Sequence, residues 1–157
     1  ISKIAHDNNV PVFLDAGGED TEISNELIQY ITILSPNETE LLRLKKFTQQ
    51  ENITSPIKIS QLIQSKYNKN MNILLKEGSK GCTFIGNKEY SKILSQSAMK
   101  IPQNKIIDTT GAGDTFSGAF MVEYIRLQKL LSNNNDNMDD QLSYIIQNGM
   151  LFGCVAA

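Results

Sequence analysis

The sequence is poor in the residues from which metal centres, redox motifs and nucleic-acid surfaces are usually made. Among its 157 residues are one histidine and two cysteines, and its 15 lysines and arginines are outnumbered by 17 aspartates and glutamates. A net charge of -2 and a pI near 5.4 provide no positive field of the kind that phosphate-backbone binding needs, so nucleic acid is not an expected partner. His6 lies in a polar N-terminal stretch and reads as solvated surface. Cys82 and Cys154 stand in apolar or small-residue surroundings, with no neighbour at a metal-ligand or redox-motif spacing. They read as free, buried thiols of a reducing cytosol. No apolar run approaches the roughly 20 residues of a membrane-spanning helix. The opening ISKIAHDNN has the features of neither a signal peptide nor a transit peptide, so no membrane partner is expected and the location reads as cytoplasmic. There is no initiator methionine, the first residues fall inside a helical pattern, and Val155-Ala156-Ala157 carries no helix-ending signal. The chain therefore reads as a fragment, cut at both ends.

With 40% hydrophobic residues, a chain of this length can bury one core of ordinary size, and residues 1–157 read as a single domain. Val10 to Leu14 is an almost continuously apolar run closed by Asp15-Ala16-Gly17-Gly18, as a buried parallel strand is closed by a loop. Helical spacing follows at Ile23, Leu27 and Ile28, and a second strand at Ile31 to Leu34 is stopped by Ser35-Pro36. Asn37 caps a helix whose first turn holds Glu38 and Glu40. After a polar linker over 48–55 come an amphipathic helix from Ile57 to Tyr67 and a third strand at Met71 to Leu75. Such alternation predicts an α/β fold, a parallel sheet with helices on both faces. Turns at Gly78-Ser79-Lys80-Gly81 and Gly86-Asn87 then place an antiparallel meander at one edge, with strands at Cys82 to Ile85 and near Tyr90 to Leu94. A last short strand is expected at Ile106-Ile107 and a long helix from Thr115 to about Leu131. An Asn-rich loop over 132–139 precedes a final helix through Leu142, Ile145, Ile146 and Phe152.

The chemistry concentrates in DTTGAGDTFSGAF, residues 108–120. Gly111 and Gly113 around a small Ala112 allow a ligand to approach the backbone closely, and the following helix aims unsatisfied N–H groups and a positive dipole at that point. This is an anion site. It is not a Walker A loop, because no lysine follows the glycines, nor a Rossmann turn, because Phe116 stands where the third glycine belongs. Asp114, at the expected start of the helix, would repel a phosphate that was merely held there. It suits a group that takes a proton from a hydroxyl attacking that phosphate. Asp114 is equally suited to be a helix N-cap, and the local sequence does not choose between the two.

DTTGAGDTF closely resembles the second signature of the ribokinase-like, PfkB-type carbohydrate kinases. Ser35-Pro36-Asn37-Glu38-Thr39-Glu40 resembles the family's PNxxE element and Lys76-Glu77-Gly78-Ser79-Lys80-Gly81 its nucleotide-contacting glycine turn, all in the right chain order. Within the family, VFLDAGGED with ILSPNETEL is most similar to the ribokinases. The resemblance implies transfer of the γ-phosphoryl group of ATP to a sugar hydroxyl, with ribose first, then fructose, another sugar or a nucleoside. It implies Asp114 as the catalytic base meeting the substrate hydroxyl, with the backbone N–H groups of Gly111, Ala112 and Gly113 stabilising the transferred group. Asn37, Lys76, Gly78, Ser79, Lys80 and Gly81, together with Gly113 and Asp114, would meet the nucleotide. Glu40 would organise Mg²⁺ through water, although Asn37 and Glu40 read by themselves as capping and dipole compensation. Asp108 and Thr110, the latter through its carbonyl, would help bind an activating K⁺. Cys154 would fall near the adenine pocket. Asp15 ends a strand and receives no role.

The resemblance also places the sugar-binding region and β lid before the first residue, and the rest of the cation and adenine loops after the last. It makes sugar and ATP the small-molecule partners, leaves room for a homodimer of the whole protein, and implies an inactive isolated fragment. A non-catalytic nucleotide-binding module of the same fold is the competing reading. Retention of Asp114 and both glycines favours an enzyme.

Overall fold

The computed structural model describes residues 1–17, 23–46, 48, 52–102, 104, 106–132 and 137–157. Gly18 of the loop after the first strand, part of the linker over 48–55 and the centre of the Asn-rich loop lie outside these residues. In chain order the elements are α1 (Ser2–Asp7), β1 (Phe13–Asp15), α2 (Asn25–Ile28), β2 (Ile33–Ser35), α3 (Glu38–Lys46), α4 (Pro56–Tyr67), β3 (Asn72–Lys76), a 3₁₀ turn (Gly78–Lys80), β4 (Cys82–Ile85), β5 (Ile93–Gln96), α5 (Ala112–Leu131) and α6 (Met138–Ala156). The strands hydrogen-bond in the order β1-β2-β3-β4-β5, with β1-β2 and β2-β3 parallel. The expected α/β class, alternating strands and helices followed by strands joined by short turns, is the class of the structure. Among the described residues no helix is long and apolar enough to cross a membrane. The chain divides into two compact units, the first being Ile1–Lys76 with Phe84–Ile93 and the second Glu77–Thr83 with Leu94–Ala157.

In the first unit the three residues of β2 are all buried, as expected for a parallel strand covered on both faces. Ile28, Ile31 and Leu34 meet Leu41 and Leu44 of α3, Ile59 and Ile63 of α4, and Ile73 and Leu75 of β3 in one cluster. Each such side chain stabilises the fold by about 1.5–3 kcal/mol when fully buried. Polar groups close the gaps. The buried Gln64 amide donates to the carbonyls of Met71, Ile85 and Gly86 at 2.9, 3.2 and 3.2 Å. Asn68 Nδ2 reaches the carbonyls of Ile28, Gln29 and Ile31 at 3.1–3.2 Å. His6 is exposed, as expected, and tilts against Tyr30 with ring centroids 5.5 Å apart.

In the second unit α5 and α6 pack together. Phe116, Phe120 and Tyr124 stack one turn apart along α5, with centroids 6.4 and 5.9 Å apart. A side chain at Gly153 would begin 2.8 Å from the Phe116 ring, and one at Gly149 would begin 3.0 Å from Phe120. Small residues on α6 therefore let the aromatic stripe of α5 come close.

Several boundaries differ from expectation, two of them because a backbone group is already committed. β1 begins at Phe13 rather than Val10, since the Val10 N–H closes α1 on the Ala5 carbonyl at 2.8 Å and Pro11 has no N–H to give. The helix expected over 23–30 is the short α2, behind an N-cap at Ser24. β2 ends at Ser35, before Pro36, as expected, and isolated contacts with Lys76 continue beyond it. A proline lacks the donor but keeps its carbonyl, which accepts from the Lys76 N–H at 2.8 Å, and Asn37 still bridges Lys76 in parallel. The fifth strand is not at Tyr90–Leu94 but at Ile93–Gln96, because the Tyr90 N–H is held by Asn87 Oδ1 at 2.8 Å. Ile106-Ile107 forms no strand, and Ile107 is 98% exposed. Finally, α5 starts at Ala112, three residues before the expected Thr115.

Candidate functional site

In the first unit the carboxyl ends of the parallel strands collect the polar residues, which is where open α/β sheets bind ligands. Asp15 is the last residue of β1, Asn37 follows β2 by two, and Lys76 is the last residue of β3. The register that sets Asp15 opposite Ser35, and Asn37 opposite Lys76, brings Lys76 Nζ to 2.6 Å from Asp15 Oδ2. Both side chains are more than two-thirds shielded from solvent. Asn37 and Glu40 form a reciprocal capping box: Asn37 N–H donates to Glu40 Oε2 at 2.7 Å, and Glu40 N–H donates to Asn37 Oδ1 at 2.9 Å. The capping expected of this pair is thus present. It fixes the Glu40 carboxylate, which is buried, without using all of it, because Oε1 has no hydrogen-bond partner among the described residues. A cavity of about 290 Å³ is lined by Asp15, Gly17, Ser24, Glu40 and Arg43 over an apolar floor of Leu14, Leu27 and Leu44.

No group of three or more histidine, cysteine, aspartate or glutamate side chains among the described residues could form a metal cage. One oriented carboxylate oxygen on a cavity of this size instead fits a hydrated Mg²⁺, an ion that keeps most of its waters and is commonly shared with phosphate oxygens.

In the second unit the glycine turn is a tight 3₁₀ turn. Glu77 N–H donates to the Gly81 carbonyl at 2.8 Å and Gly81 N–H to the Gly78 carbonyl at 3.0 Å. Gly78 and Gly81 have φ of 56° and 109°, and at Gly81 only glycine fits. Gly78, Ser79 and Lys80 are exposed.

Asp108 and Thr110 also come together. Asp108 Oδ1 accepts from both the Thr110 N–H and its hydroxyl, each at 2.8 Å. The backbone bond, and then the hydroxyl, hold the Asp108 carboxyl below its ordinary range. Gly111, at φ 79°, is the N-cap of α5. The first helical bond runs from Thr115 N–H to the Gly111 carbonyl at 2.8 Å.

Two consequences alter the expected geometry. Asp114 is the third residue of α5, not the first, the N-cap is Gly111, and the Asp114 carboxylate has no hydrogen-bond partner among the described residues. The capping alternative for Asp114 is therefore not realised, and its carboxylate stands exposed on the first turn. The Ala112 N–H is spent on the Thr109 carbonyl at 3.2 Å. The N–H groups that this turn leaves without a partner among the described residues are thus those of Gly113 and Asp114.

Sequence reasoning left Asp15 without a role, and the structure makes it the partner of Lys76. The available signal was position alone: both residues close parallel strands on the same edge of a sheet. Cys154, expected near an adenine pocket, is half-buried, and its sulfur lies 3.8 Å from that of Cys82.

The chain is similar to proteins of known activity over most of its length. The model of the pfkB family carbohydrate kinases matches residues 1–140. Ribokinase from Arabidopsis thaliana is 42% identical over 127 residues, covering 80% of this chain and 31% of that protein. Ribokinase from Haemophilus influenzae is 32% identical over 120 residues, covering 76% and 36%. The chain thus spans about a third of the length of these curated relatives. Among solved structures, Arabidopsis thaliana ribokinase complexed with ribose and ATP superposes at a TM-score of 0.63 with 39% identity, covering 92% of this chain and 42% of that one. Ribokinase from Thermotoga maritima gives 0.65 at 27% identity, covering 94% and 42%. Adenosine kinase from Anopheles gambiae, at 0.68 and 20% identity over 97% and 43%, shares the fold.

Proposed function

Because the chain belongs to the pfkB family of carbohydrate kinases, we propose that residues 1–157 form the nucleotide-binding and catalytic-base portion of an enzyme that phosphorylates a sugar hydroxyl with ATP, with ribose as acceptor and ribose 5-phosphate as product. The observation that carries this reading is Asp114 itself. An exposed carboxylate with no capping bond stands in the first turn of α5 beside two unpartnered N–H groups, an arrangement that serves proton removal next to a phosphoryl group.

Asp114 takes the proton of the attacking sugar hydroxyl. The N–H groups of Gly113 and Asp114, behind the left-handed Gly111, stabilise the negative charge of the group in transfer, and Ala112 keeps the turn closed. Gly78, Ser79, Lys80 and Gly81 present backbone to the nucleotide. Asn37 and Lys76 meet its phosphates, with Lys76 held in place by Asp15. Glu40 would hold Mg²⁺ through water, and the ion would supply neutralisation of phosphate charge. Asp108 and the Thr110 carbonyl hold the monovalent cation. The chain spans about a third of the length of its curated relatives, and on this reading the sugar is placed by the remainder. Holding two reactants in line supplies about 7 to 11 kcal/mol of barrier reduction, and closure of a site also excludes water from it.

The 157-residue chain is accordingly expected to bind ATP weakly in calorimetric titration and to form no ADP in response to ribose above background, whereas the whole protein forms ADP with ribose. A purified chain that phosphorylates ribose at the whole protein's rate would sink this division of labour. A whole protein that forms no ADP with ribose, fructose or adenosine would sink the kinase reading. The cation site has its own test: replacing Na⁺ by K⁺ at fixed ionic strength is expected to raise the rate of the whole protein, and Asp108→Ala to erase the difference. Equal wild-type rates in the two salts exclude the site.

A further inference from the structure

Cys82 and Cys154 are 72 positions apart in the chain, so no motif spacing connects them, yet their sulfur atoms lie 3.8 Å apart. Both belong to the second unit, Cys82 as the first residue of β4 and Cys154 in the last turn of α6. Each follows a glycine that is packed tightly. A side chain at Gly81 would overlap the Gln96 carbonyl oxygen at 2.0 Å, and one at Gly153 would press on the Phe116 ring at 2.8 Å. The backbone on both sides is therefore held, and the two thiols face each other from fixed positions. Cys82 is 2% exposed, while Cys154 is half-buried and open to a small reagent.

We propose that Cys82 and Cys154 are a covalent modification site at which a small-molecule disulfide such as oxidised glutathione forms an intramolecular disulfide, tying the last turn of α6 to the start of β4. The Cys154 thiolate attacks one sulfur of the reagent, and the first reagent thiolate leaves. The Cys82 thiolate then attacks the Cys154 sulfur of the mixed disulfide, and the second reagent thiolate leaves. One reagent S–S bond is broken and one protein S–S bond is made. Two protein S–H bonds are lost, and their protons go to the two released thiolates. The protein gives up two electrons and the reagent gains them. Closing the gap to bonding distance needs an approach of about 1.8 Å, within reach of side-chain rotation with a small backbone shift.

Burial raises both thiols above their ordinary range, Cys82 the more strongly. Exchange through the thiolate is therefore slow at neutral pH and accelerates as pH rises. The reduced pair also gains no thiolate stabilisation that would oppose the disulfide.

The 157-residue chain is incubated at pH 8 in oxidised and reduced glutathione of stepped ratio, quenched with iodoacetamide, and examined by intact mass, peptide mapping and non-reducing electrophoresis. The expected product is a monomer about 2 Da lighter, with Cys82 and Cys154 in one cross-linked peptide pair, returned to the starting mass by dithiothreitol. Cys82→Ser is expected to stop at a glutathione adduct about 305 Da heavier on Cys154, and Cys154→Ser to stay unmodified. The proposal is overturned if the wild-type chain yields only the Cys154 adduct or disulfide-linked dimers. It is equally overturned if both thiols remain alkylatable at ratios that fully oxidise free dithiothreitol.

Discussion

Asp114→Asn in the whole protein is expected to lower kcat by about 10² to 10⁴-fold while leaving ATP affinity within a few-fold. Asparagine keeps the size and polarity of aspartate but cannot accept the proton. The folded chain offers little else for the change to disturb, since the N-cap is Gly111, Asp114 makes no capping bond, and its side chain is exposed. Steady-state ADP release, calorimetric ATP titration and thermal unfolding of the same preparations separate the possibilities. A fall in kcat with unfolding unchanged is the signature of a lost base. A kcat near wild type would remove Asp114 from that role, whatever the ATP affinity.

Gly81→Ala is expected to be among the most damaging single changes in the chain. Its new Cβ would lie 2.0 Å from the Gln96 carbonyl oxygen, 2.6 Å from the Ala98 nitrogen and 2.8 Å from the Ser97 carbonyl carbon. These are all backbone atoms that cannot rotate away, and the φ of 109° is itself unfavourable for alanine. Overlap and strain together are expected to cost about 4 kcal/mol or more, comparable with the whole stability of a marginal domain. Gly78→Ala is the internal control. Its φ is 56° and its Cβ would meet nothing within 4 Å, so only backbone strain of about 1–3 kcal/mol remains. Urea unfolding followed by circular dichroism ranks the two, and equal midpoints would show that the close approach at Gly81 does not exist.

The legible parts of the fold were those with local causes. The strand Cys82–Ile85 lies where its apolar run put it, and α3 follows Asn37 because an Asn-x-x-Glu pattern closes a capping box with no help from elsewhere. Element ends depended instead on single hydrogen bonds, some of them only a few residues long, that composition and periodicity do not report. Val10 lost its strand to a bond with Ala5, and Tyr90 lost its own to Asn87. The Asn68 amide reaches back 37 to 40 residues to close the turn after α2. No periodicity reports such a use. In the candidate site, the glycine turns and Asp114 were visible because left-handed geometry and helix starts leave composition signatures. Asp15 with Lys76, and Cys82 with Cys154, were not, because both pairs arise only when the chain is folded.

The parallel pairing of β2 with β3 is a short ladder, Ile33 opposite Asn72 and Leu34 opposite Ile73, extended by the bridge of Asn37 to Lys76, and parallel pairing between distant segments is slow to form. A slip of one residue would turn Lys76 to the other face of the sheet, away from Asp15, 61 positions earlier. The Asp15–Lys76 contact is therefore tied to the register of three strands, so that one polar edge of the candidate site is set by the same alignment that sets the sheet.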